Sequence, residues 1–195
     1  MSSLAQAKTL GGIGSILIIL SVVPSAGPLL AIIGLVLVLV AVKYISDAVG
    51  DRSIFNNMIV AVVLAIVGLA VGAFLLFASL FSIIGLSGFT QPGPSFNGAD
   101  FAALFVTLAL ALVIIWAFFL ASSIFYRRSF NTIASRLNVR MFGTAALLYL
   151  IGAALTVVLV GLVLVLVAGI LQIIAFFSIP EQIPSPTQPS TTAPV

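Results

Sequence analysis

The octamer GLVLVLVA stands at residues 34–41 and again at 161–168. Its valines and leucines alternate with the period of a strand, and valine is a good strand former, so the strand reading must be excluded physically before a fold is assigned. Around the two copies lie long apolar runs at 10–23, 29–42, 58–86, 101–126 and 141–179. Each is well beyond the roughly four to eight residues of a buried strand. In hydrocarbon an isolated strand leaves its N–H and C=O groups unpaired, and a membrane barrel needs polar residues alternating toward its lumen, which the octamer lacks. The octamer is therefore read as helical.

Composition sets the same limits. Hydrophobic residues make up 63% of the 195 and charged ones 6%, against about 25% charged in soluble domains. The chain has no Cys and no His, which removes disulfide frameworks, thiolate chemistry, imidazole bases and nearly all transition-metal sites. No cofactor is expected. The net charge of +3 does not point to nucleic acid, because the placement of the basic residues says more than their sum.

The first two runs reach membrane-crossing length when 4–10 and 44–46 join them, with Lys8 and Lys43 reaching toward the headgroups. Between them Pro24-Ser25-Ala26-Gly27-Pro28 is turn chemistry, so spans one and two form a helical hairpin. A cleavable signal peptide is the competing reading of the first run, and the second apolar run that follows at once speaks against it. As one helix the run 141–179 would be a rod of about 58 Å, against about 30 Å of hydrocarbon. It is divided into two spans turning near 157–162, although no proline or charge marks the turn. The expected fold is all-α, a polytopic transmembrane helix bundle of six spans built from helical hairpins, with five spans the alternative. The bundle domain covers 1–179. The tail 180–195, PEQIPSPTQPSTTAPV, is too rich in Pro, Ser and Thr to bury a core and is expected to be disordered.

In the six-span arrangement Lys8, Lys43, Arg52, Arg127, Arg128, Arg136 and Arg140 all fall on one side, while 24–28 and 87–100 carry no basic residue. The positive-inside rule makes that side cytoplasmic, with the N-terminus inside a multi-pass plasma-membrane protein. All nine prolines lie outside the spans, leaving the helix interiors intact.

Four constellations stand out. Small residues recur at helical spacing: Ala7, Gly11 and Ser15; Ala61, Ala65, Gly68 and Gly72; Ala103, Thr107 and Ala111. Such rows let helices approach, within the bundle or between two copies in a homo-oligomer. Between spans four and five, Phe130, Ile133, Ala134, Leu137 and Met141 follow helical spacing with the arginines mainly off that stripe. This predicts an amphipathic helix lying at the inner interface, ending in a left-handed stop at Asn138. Arg127, Arg128, Arg136 and Arg140 make a candidate patch for lipid headgroups or an acidic membrane-protein partner, beside the plainer reading of topology determinants. In the other inner loop Asp47 and Asp51 stand four apart, and three readings stay open: the two share a cation, Asp51 pairs with one of those arginines, or both are simply solvated.

No Asp, Glu, Lys, Arg or His lies mid-span, whereas ion-coupled carriers usually need such groups. Thr107, Thr156, Gln172, Ser79 and Ser82 are the notable polar groups at depth, and Trp116 sits mid-span where it fills core space. No acid–base or nucleophilic set can be assembled, so an enzyme is not expected. A non-enzymatic structural or accessory membrane protein is the preferred reading. A small-solute permease or passive channel lined by Thr107, Thr156 and Gln172 is the alternative. The octamer has two origins in play, an old hairpin duplication or convergence on lipid-facing composition, and the unequal depth of the copies favours the second.

The segments Tyr126-Arg127-Arg128-Ser129-Phe130, Met141-Phe142-Gly143-Thr144-Ala145-Ala146-Leu147-Leu148-Tyr149-Leu150-Ile151-Gly152-Ala153 and Ala175-Phe176-Phe177-Ser178-Ile179-Pro180 resemble an uncharacterised, largely archaeal family of polytopic membrane proteins, a domain of unknown function. The resemblance is strongest over the C-terminal third. It implies an archaeal plasma membrane and a retained N-terminal hairpin, and it carries no assigned activity. Where members of that family often place Gly before the Val at 139, this chain has Asn138, which keeps the turn role.

Overall fold

The computed structural model describes residues 3–23, 26–84, 98–158, 160–180 and 182, the side chains at 82–84 and 99–100 excepted. Six α-helices follow one another: α1 Ser3–Leu20, α2 Gly27–Val49, α3 Arg52–Ile84, α4 Gly98–Leu137, α5 Arg140–Leu155 and α6 Val160–Phe177. A 3₁₀ turn at Thr156–Val158 stands before α6. Among the described residues there is no strand, and all six helices are long and apolar enough to cross a membrane. The unmarked break expected inside 141–179 thus falls at the 3₁₀ turn, and the run forms two helices, as the six-span arrangement requires. The tail at 180–195 lies outside the described residues apart from Pro180 and Gln182, as do Pro24, Ser25 and the loop 85–97.

Each helix packs on its neighbour in chain order, and α1 packs on α6, so the six close into a ring. Glycines set the closest approaches. A Cβ on Gly34 would stand 2.6 Å from the Gly14 carbonyl oxygen, and one on Gly14 would stand 2.7 Å from that of Gly34, so α1 and α2 meet backbone to backbone. In the last hairpin Gly161 meets the Gly152 carbonyl in the same way. Both octamers therefore turn a glycine into their hairpin and a buried alanine, Ala41 or Ala168, two turns on. Val36 and Val163 face outward. One stripe of each octamer thus packs within the chain, and the opposite stripe is exposed. The depths differ as expected, since Gly34 lies well inside α2 and Gly161 near the start of α6.

The expected interfacial helix is corrected too. α4 is continuous over 40 residues, about 60 Å, so 127–137 is its last three turns and not a separate element lying on the membrane. Nothing between Tyr126 and Arg127 breaks a helix, and the apolar stripe belongs to the bundle core, with Phe130, Ile133 and Leu137 buried. Met141 leaves the stripe and is 41% exposed, because the chain has turned before it. The turn itself is the expected one. Asn138 has φ 55°, and the Val139 N–H donates to the Ala134 carbonyl at 3.1 Å, the pairing of a left-handed helix stop. Gly50, at φ 73°, ends α2 in the same manner over Ser46.

The largest buried side chains gather at this end of the ring. Phe130, Phe142 and Phe176 pack edge to face with ring centroids 5.1–6.2 Å apart, and the Phe176 ring lies over Gly11 of α1. Toward the other end α3 and α4 expose Phe74, Phe77, Phe101 and Phe105, as lipid-solvated helices do.

Candidate functional site

All seven basic residues lie at the end of the bundle that holds the α2–α3 and α4–α5 turns. Asp51 organises that end. It precedes the first residue of α3, and its Oδ1 accepts from the Ser53 N–H at 3.1 Å, capping one free N–H of the first turn, and from the Ser53 hydroxyl at 2.6 Å. Its Oδ2 accepts from Arg136 Nη2 of α4 at 3.0 Å. The Ser53 hydrogen bonds first, and Arg136 after them, hold the Asp51 carboxyl below the usual carboxylate value. Of the readings open for Asp51, the ion pair between the two inner segments is made, and Asp47 is exposed.

Of the four candidate arginines, Arg136 is engaged. Arg128 lies over the Phe125 ring with its guanidinium carbon 5.4 Å from the centroid. Among the described residues Arg127, Arg128 and Arg140 have no carboxylate partner. A shallow open groove runs between the last turns of α4 and the first of α5, lined by Asn131, Ser135, Asn138, Arg140 and Thr144. It offers one cation and several neutral hydrogen-bonding groups at the rim of the bundle.

The small residues divide. Gly68 packs under Phe118 and Gly72 under Ile115, both of α4, so these two serve the α3–α4 contact within the chain. Ala61 and Ala65 line a cavity of about 300 Å³ to which all six helices contribute. Their small side chains leave the space open. Ala61 also accepts, through its carbonyl, the Ser122 hydroxyl at 2.7 Å.

Thr107, Thr156 and Gln172 do not line a common path. The Thr107 hydroxyl donates to the Ala103 carbonyl at 2.9 Å and the Thr156 hydroxyl to that of Gly152 at 2.8 Å, each within its own stretch of chain. Ser79 lies toward the far end of α3, and the Ser82 side chain is outside the described residues. Trp116 is half-buried and donates from Nε1 to the Ala153 carbonyl at 3.2 Å, tying α4 to α5. Gln172 stands apart from this group: its Oε1 accepts from the Tyr126 hydroxyl at 2.7 Å, beside Tyr149, whose ring centroid is 4.7 Å from that of Tyr126. The two tyrosines were not singled out from the sequence. Tyr149 lies inside the apolar run 141–179, whereas Tyr126 ends the run 101–126 beside Arg127, where a tyrosine reads as an ordinary interface residue.

The model of a family described as "Protein of unknown function (DUF996)" matches residues 30–170. That range takes in two of the three segments that carry the resemblance and stops short of 175–180. An uncharacterized protein of Methanocaldococcus jannaschii is 34% identical over 185 residues, covering 93% of this chain and 96% of that protein. No solved structure matches. With most of its helical ring inside the matched range, this chain belongs to the family of proteins of unknown function DUF996.

Proposed function

We propose that this protein is a non-enzymatic structural or accessory component of an archaeal plasma membrane, with its N-terminus and basic end in the cytoplasm, and that this end holds anionic lipid headgroups. The observation that carries the reading is the imbalance of charge there: Asp51 engages Arg136, while Arg127, Arg128 and Arg140 stay without a carboxylate among the described residues. Each arginine near an anionic leaflet contributes about 1 kcal/mol. The groove beside Arg140 adds amide and hydroxyl groups suited to phosphate oxygens. The archaeal relative supports the choice of membrane.

The test is retention of phosphatidylglycerol against phosphatidylcholine by the purified full chain, read by native mass spectrometry at low and high salt. The wild type is expected to prefer the anionic lipid, less so at high salt. Changing Arg127, Arg128 and Arg140 together to Gln should reduce that preference by at least tenfold, while Arg136→Gln alone should change it little. An unchanged preference in the triple variant would remove the headgroup reading.

A further inference from the structure

The central cavity has two unlike ends. On one side it is walled by Ala31, Leu35 and Val38 of α2 and by Ala61, Ala65 and Ile66 of α3. Ile66 is 56% exposed, so the space opens at the α2–α3 seam, at the depth of apolar helix surface and therefore toward lipid. The other end is polar, with Ser122, Tyr126, Tyr149 and Gln172. Two of these groups are satisfied within the protein: Ser122 donates to Ala61, and Tyr126 donates to Gln172 Oε1. The Gln172 carboxamide nitrogen and the Tyr149 hydroxyl are not, for among the described residues no protein group bonds to either. Both line the cavity and are open to it, since among the described residues no fully buried side-chain nitrogen or oxygen lacks a partner, so a molecule entering the cavity can meet them. No ionisable carboxylate, amine or guanidinium lines the cavity, so its complement is neutral. The volume is at the lower end of the range for small-molecule sites, about 300–1,000 Å³.

We infer that the cavity is a binding site for a neutral, lipid-soluble molecule with a hydroxyl or carbonyl head on an aliphatic chain. The head hydrogen-bonds to Tyr149 and the Gln172 carboxamide, and the chain runs out between α2 and α3 into the bilayer. Ala61 and Ala65 are small because the ligand, not a neighbouring helix, occupies the space in front of them. Binding here is independent of the arginines at the basic end, and the two readings fail separately.

The experiment uses the full chain in detergent and a diazirine-bearing decanol as the probe, with photolabelled residues mapped by mass spectrometry. Label should concentrate on the cavity-facing residues of α2 and α3, and unlabelled 1-decanol should compete at least tenfold better than decane. Decyltrimethylammonium should compete no better than decane. Ala65→Leu, which fills the cavity, should lower labelling there at least fivefold. Tyr149→Phe should bring 1-decanol and decane closer together without abolishing labelling, and this conservative variant decides the matter if Ala65→Leu does not fold. Label spread evenly over lipid-facing positions such as Phe74 and Phe105, or equal competition by decane and decanol in the wild type, would overturn the inference.

Discussion

Asp51 carries two jobs on one side chain, and its two oxygens divide them. Oδ1 caps α3 through Ser53 while Oδ2 holds Arg136. Because the folded carboxyl titrates below its ordinary value, the stability it contributes is fully present above that value and is lost as pH falls through the lower, folded one. Carbon-detected NMR titration of Asp51 should therefore give a midpoint below 3.8, the reference value, with no change near neutrality. Ser53→Ala, which removes the hydroxyl bond and keeps the N–H bond, should raise the midpoint, since that hydroxyl bond is the largest single cause, and Arg136→Gln should raise it as well. A midpoint at or above 3.8 would contradict the geometry. At this scale the sequence was readable where one residue type has few alternatives. Asn138 before an apolar residue reads as a left-handed stop, and it is one. Tyr126 and Tyr149 were not readable in the same way, since a tyrosine in an apolar run pairs with whatever the fold brings opposite, here Gln172 from a distant helix.

Between helices, the decisive quantity is whether a glycine faces backbone or a side chain that can turn away. Gly34 faces the Gly14 carbonyl, so Gly34→Ala should push α1 and α2 apart and destabilise by about 1–3 kcal/mol, the usual range for overpacking. Gly143 meets nothing closer than Asn131 Oδ1 at 3.4 Å, so Gly143→Ala should lie between neutral and about 1 kcal/mol stabilising through helix propensity. Thermal unfolding of both variants in detergent measures the contrast, and equal effects would contradict the packing described. Element existence was legible from run length alone; element ends were not. The stripe from Phe130 to Leu137 has the same period whether it lies on a membrane or continues α4, and periodicity does not distinguish the two. The reversal inside 141–179 lacked a proline because Gly152 and Gly161 make it possible by close approach.

For the whole molecule, a ring of six helices closed by α1 on α6 gathers every basic residue at one end and encloses a cavity that no local pattern announces. The placement of charge was legible because lipid imposes it on each loop separately. Ring closure and the cavity were not, because they depend on which helices become neighbours. Six crossings with the basic end in the cytoplasm is the claim on which the proposed function rests, and the chain's lack of cysteine makes it directly testable. Single cysteines at Ala26, Ser135 and Gln182, treated with a membrane-impermeant maleimide in sealed right-side-out vesicles, report the side of each position. Ala26→Cys should label from outside at once, and Ser135→Cys and Gln182→Cys only after permeabilisation. Labelling of Ser135→Cys in intact vesicles, or of Ala26→Cys and Gln182→Cys together, would contradict it.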